Sequence, residues 1–129
     1  MKFTTATALF FAGLVAAETV SVTDLTIRDN NGLQSVSFKV AGTDCSSTDA
    51  ASLANNGANA CGDGNPPVFT YSVEKTEGSE YQLYLHKNVD GSVRGLNGGA
   101  KAPVNCRAGG NGASDNVCQQ TGDFSVDLQ

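Results

Sequence analysis

Four cysteines, Cys45, Cys61, Cys106 and Cys118, in a chain of 129 residues constrain the fold more than any other feature. An even cysteine count in a short secreted chain reads as a disulfide framework, and four cysteines permit three connectivities. The sequential one, Cys45–Cys61 with Cys106–Cys118, is favoured because each pair then brackets a loop-like stretch. Residues 46–60 are small and polar, and residues 107–117 contain Ala-Gly-Gly-Asn-Gly-Ala-Ser-Asp. Closing a loop of about 15 residues removes unfolded-state entropy worth about 3 kcal/mol. A zinc site is disfavoured, since no C-x-x-C occurs and His86 is the only imidazole.

The N-terminus supports the secreted reading. Met1-Lys2-Phe3 carries one positive charge, residues 9–15 are apolar, and Val15, Ala16 and Ala17 are small enough for cleavage. This pattern predicts a signal peptide over residues 1–17, cut after Ala17, and a single β domain over 18–129. The apolar run is short of the ~20 residues that a bilayer-spanning helix needs. No second apolar stretch follows, so an extracellular protein without stable membrane insertion is expected. Lys plus Arg number 8 against 13 Asp plus Glu, a net charge of -5. That balance argues against a nucleic-acid partner, which would need clustered cations. No cofactor is expected.

The remaining sequence reads as strands and turns. Val20, Val22, Leu25 and Ile27 lie in one strand-like run whose parity shifts after Val22, which places a bulge near Asp24. Asn30-Asn31-Gly32 is a hairpin turn, and Val36, Phe38 and Val40 then share one face of the next run. Residues 48–56 predict one or two helical turns, started by Ser47 or Thr48 and stopped by Gly57. Phe69, Tyr71 and Val73 alternate with polar residues, as do Tyr81, Leu83 and Leu85, with a turn at Glu77-Gly78-Ser79 between them. Asp90-Gly91 is a further hairpin signal, followed by short strands at 92–96 and 102–106, and Phe124, Val126 and Leu128 mark the last. About seven strands with tight turns predict an all-β fold, a compact antiparallel barrel or sandwich stapled by two disulfides, with little helix.

Chemistry is harder to find. His86 is the only imidazole base, and alternation puts it opposite Leu83 and Leu85, toward solvent. No Gly-x-Ser-x-Gly elbow accompanies it. Asp29-Asn30-Asn31-Gly32 and Asp63-Gly64-Asn65 lack the Glu that closes an EF-hand loop, so turn chemistry accounts for them better. The Gly109-Gly110-Asn111-Gly112 cluster opens no predicted helix and lacks the Lys of a phosphate-binding loop. Phe69, Tyr71 and Tyr81 fall on the core parity, and Tyr84 falls off it.

The segment Cys106-Arg107-Ala108-Gly109-Gly110-Asn111-Gly112-Ala113-Ser114-Asp115-Asn116-Val117-Cys118-Gln119 resembles the signature of the Alternaria major-allergen family of small secreted fungal proteins. Cys45 and Cys61, the latter followed by Gly62, are similar to that family's other cysteine spacing. The resemblance implies a β-barrel with the bridges Cys45–Cys61 and Cys106–Cys118, and no established catalytic site. It also implies relatives that include allergens and elicitors of the hypersensitive response in plants. Some of these are linked to plant pathogenesis-related proteins or to small phenolic ligands. The chain departs from the allergen in being shorter and in having no cysteine between Glu18 and Asp44, where the allergen carries the thiol of its covalent dimer. No disulfide-linked dimer is therefore expected.

The expected function is that of a secreted effector or elicitor that binds an unidentified host plant protein or receptor and so triggers plant defence. A barrel carrying a small apolar or phenolic ligand stands second, and an extracellular enzyme third. The expected contact surface is the stapled loop with Arg107, Asn111 and Asp115, because its Gly and Asn residues cannot bury apolar area.

Overall fold

The alternating runs fold as antiparallel strands that bury their apolar faces together. The computed structural model describes residues 17–129, so the predicted signal peptide lies outside the described residues except for Ala17. In chain order the strands are β1 (Glu18–Asn30), β2 (Leu33–Val40), β3 (Thr43–Ser47), β4 (Asn59–Cys61), β5 (Phe69–Lys75) and β6 (Tyr81–Lys87). They continue with β7 (Leu96–Lys101), β8 (Val104–Ala108), β9 (Asp115–Gln120) and β10 (Phe124–Leu128). The sheet order is β7-β6-β5-β4-β3-β2-β1-β9-β8, and β10 also pairs with β1. The sheet curls into a partly closed barrel, at whose seam the backbones of Asn97 and Gln129 exchange two hydrogen bonds of 3.0 Å.

Strand β1 is the spine. One edge pairs with β2, while the other is shared between β10, opposite residues 18–22, and β9, opposite residues 26–30. The expected bulge is there: the β1–β2 register shifts between Thr23 and Thr26, and Asp24 has φ of 58°. The backbone between the two partner strands would otherwise go unpaired. Gln120 fills the gap with its side-chain amide, accepting from the Leu25 N–H at 3.1 Å and donating to the Val22 carbonyl at 2.9 Å.

Inward positions of every long strand form one apolar cluster that includes Val22, Ile27, Val36, Val40, Tyr71, Leu83, Val126 and Leu128. Phe38 and Tyr71 meet edge to face with ring centres 4.9 Å apart. Both bridges form, and both join residues directly opposite each other on paired strands: Cys45 and Cys61 across β3–β4, Cys106 and Cys118 across β8–β9.

Three local readings change. The helical turn is a short α1 (Ala50–Leu53) followed by a 3-10 turn (Ala54–Asn56), and its cap is Asp49, whose carboxylate accepts from the Ala51 N–H, and not Ser47 or Thr48. Gly57 ends it as expected. The strand expected over 92–96 lies instead at Leu96–Lys101, and the one expected over 102–106 at Val104–Ala108. Strand β9 occupies part of what the sequence presents as loop.

Candidate functional site

The stapled loop is built on a buried carboxylate. Strands β8 and β9 form a hairpin whose connection, residues 109–114, is largely exposed. Asp115, the first residue of β9, is 1% exposed. Arg28 of β1 grips it from one side, Nε to Oδ1 at 3.2 Å and Nη2 to Oδ2 at 2.7 Å. The backbone N–H of Asn111 donates to Oδ2 at 3.1 Å, and the Asp115 carbonyl accepts from the Gly109 N–H at 2.8 Å. The hydrogen bond from Arg28 is the main force holding the Asp115 carboxyl below the usual range; its burial opposes this, and the cation's charge and the Asn111 amide assist. Arg28 is raised in turn by the same partner.

The glycines of this segment follow from that anchor. A side chain at Gly109 would collide with the Asp115 carboxylate. Gly110 and Gly112 have φ of +90° and +105°, which L side chains rarely adopt. Asn111 is pinned by its backbone alone, its carbonyl accepting from Asn30 Nδ2 at 3.3 Å, so its side chain is left on the surface. Arg107 is exposed and bonds Gln119 Oε1 across the hairpin at 2.7 Å. Of the three residues expected to make contact, Arg107 and Asn111 are exposed. Asp115 is beneath them, because both of its oxygens are committed to holding the loop.

A second buried acid closes the same end of the barrel. Asp29, 1% exposed, accepts from the Tyr81 hydroxyl at 2.7 Å, from Lys75 Nζ at 3.0 Å and from the Gly32 N–H at 2.9 Å. Burial pushes this carboxyl up, but its three donors outweigh that and leave it below its ordinary value. Burial and the adjacent carboxylate together push the Tyr81 phenol up. Sequence reading assigned Asp29 to turn chemistry, and its bond to Gly32 bears that out. The links to β5 and β6 carry no sequence signal, since they join residues 46 or more positions apart.

His86 sits half-buried on the outer face. Its Nδ1 lies 2.7 Å from Asn97 Oδ1 and its Nε2 lies 3.1 Å from Asn88 Oδ1, so both ring nitrogens face asparagine side chains, a neutral ring donates to one of the two, and neither meets a carboxylate or a nucleophile. Among the described residues no three His, Cys, Asp or Glu side chains converge as a metal site.

The profile of the family described as Alternaria alternata allergen 1 matches residues 22–118. The chain belongs to this family. Two crystal structures of the Alternaria alternata major allergen Alt a 1 share its fold. One has a TM-score of 0.61 at 24% identity, covering 86% of this chain and 92% of the allergen chain. The other has a TM-score of 0.63 at 26% identity, covering 86% and 87%. No curated protein matches the chain. The allergen family has this β-barrel fold and is not a known enzyme family, and an extracellular location is consistent with its disulfides. The match spans both bridges and ends within the stapled hairpin, at Cys118.

Proposed function

We propose that the protein is secreted after loss of residues 1–17 and acts as an elicitor or effector, recognised by a plant-host component through its folded surface. The observation that carries this reading is the stapled loop. It is exposed, it holds little apolar area, and its backbone is fixed from below by Asp115, Arg28 and the Cys106–Cys118 bridge. A loop already ordered before contact loses less conformational entropy on binding, which favours recognition. Catalysis has no comparable support, because the only imidazole is occupied by two asparagines.

The second reading, a barrel that carries a small apolar or phenolic ligand inside, has less to rest on. The inward positions of the strands are filled by one another's side chains, including Phe38, Tyr71 and Tyr81.

The test is infiltration of leaves with the protein purified from culture medium. The secreted form begins at Glu18, and it produces local cell death. The same protein with its four cysteines reduced and alkylated does not. An alkylated chain that remains fully active places the signal in a linear peptide and overturns the folded-surface reading.

A further inference from the structure

The outer face of β5, β6 and β7 carries a shallow cleft of about 380 Å3 that the elicitor reading does not use. It is lined by side chains that alternation turns away from the core: Thr70 and Ser72 from β5, Tyr84 and His86 from β6, and Asn97 from β7. Tyr84 is 39% exposed, one of few large hydrophobic residues on the surface. Its ring edge occupies the space a side chain at Gly99 would take on β7, and its hydroxyl donates to Glu74 Oε1 on β5 at 3.1 Å. The ring therefore leans across the sheet, spanning from β7 to β5, with an apolar surface open to solvent.

Covering Gly99 accounts for the position of the ring. It does not account for the polar groups around it. The hydroxyls of Thr70 and Ser72 and the side-chain nitrogen of Asn97 make no hydrogen bond to any of the described residues, although Thr70 and Ser72 are half-buried. His86 Nδ1 lies 2.7 Å from Asn97 Oδ1, an arrangement that ties the β6 and β7 sides of the cleft together beside Tyr84 and leaves the Asn97 nitrogen free. A flat apolar ring bordered by uncommitted hydroxyl and amide groups fits a ligand with an apolar face and a polar rim. Charge narrows the class. Glu74 is at the end of the ring and the chain carries a net charge of -5, so an anionic ligand is repelled.

We propose that this face binds a neutral oligosaccharide, one sugar ring stacking its C–H face on Tyr84 while its hydroxyls bond Ser72, Thr70 and the Asn97 amide. The site is separate from the stapled loop, so it would let the protein adhere to neutral polysaccharide while the loop stays free.

The experiment is titration of the 15N-labelled chain with cellohexaose, xylohexaose and chitohexaose at millimolar concentration, the range expected for one stacked ring and a few solvent-exposed hydrogen bonds. Polygalacturonate and catechin serve as the acidic and the phenolic comparison. At least one neutral oligosaccharide should shift amides confined to residues 70–72, 84–86 and 97–99. Tyr84→Ala should weaken that binding severalfold, up to about tenfold, the effect of losing a stacked aromatic ring, and Tyr84→Phe, which keeps the ring, should retain it. Thermal melts establish that both variants are folded, and Ser72→Arg, which fills the cleft from the position directly opposite Tyr84, should also abolish the shifts. The proposal is overturned if no neutral oligosaccharide shifts these amides, if polygalacturonate or catechin binds there more tightly, or if Tyr84→Ala binds as well as the parent.

Discussion

Arg28 and Asp115 join two residues 87 positions apart by two hydrogen bonds, and through them the first strand fixes the shape of a loop near the end of the chain. The pairing is bidentate, the geometry in which a guanidinium gives a carboxylate direction as well as charge. Asp115 uses its remaining capacity on the Asn111 amide, so the exposed loop takes its conformation from a buried group.

Weakening that anchor should therefore loosen the loop before it affects the rest of the barrel. In Asp115→Asn the amides of residues 109–114 should exchange with solvent faster, while those of β5 and β6 keep their protection. Gly109→Ala should do the same, because the added methyl group meets the Asp115 carboxylate. Hydrogen exchange read residue by residue checks both.

Two buried tyrosines should respond oppositely to loss of their hydroxyls. The Tyr71 hydroxyl is buried with no hydrogen-bond partner among the described residues, so Tyr71→Phe should be neutral or stabilising by about 1 kcal/mol. The Tyr81 hydroxyl donates to buried Asp29, so Tyr81→Phe should cost about 1–3 kcal/mol. Urea unfolding of the two single variants measures the difference.

The bridges should differ in reducibility more than in stabilisation. They close loops of 16 and 12 residues, a difference worth only about 0.3 kcal/mol of loop entropy. Removing either should cost about 2–5 kcal/mol. Cys45 and Cys61 are both buried, whereas Cys106 is partly exposed. A thiol reductant should therefore open Cys106–Cys118 first, as timed alkylation and peptide mapping would show.

Acid should destabilise the fold through the same two carboxyls. Asp29 and Asp115 both titrate lower in the folded chain than in the unfolded one, so the folded state binds fewer protons. Their contribution is present above about pH 4 and is lost as pH falls through their folded values. At the other extreme burial pushes the Tyr71 phenol up to about 12, so stability is lost as pH rises from about 10 through that value. Melting temperature against pH should show both arms, and Asp29→Asn should flatten the acid one.

The strands that alternate cleanly, β1, β2, β5, β6 and β10, were legible in the sequence, as was the bulge at Asp24. Strand β7 was not, because Gly98 and Gly99 lower its strand propensity. Packing requires both: a side chain at 98 would strike the Asp127 carbonyl, and one at 99 would strike Tyr84. Strand β4 is three residues long, too short for any period, and its place is set by the Cys45–Cys61 bridge. The loop of the candidate site was legible as a stapled glycine-rich segment. Its anchor was not, since nothing near Arg28 in the sequence points to Asp115.

The central claim, recognition through the outer side chains of the stapled loop, is tested most directly by leaf response to Arg107→Ala/Asn111→Ala. These side chains leave the loop's support intact, because Asn111 is held by its backbone and Arg107 bonds only Gln119. Stability should stay within about 0.5 kcal/mol of the parent, as for most surface changes. The double variant should lose the cell-death response across the dose range, and His86→Ala should keep it. A folded double variant as active as the parent, or a folded His86→Ala without activity, would contradict the account.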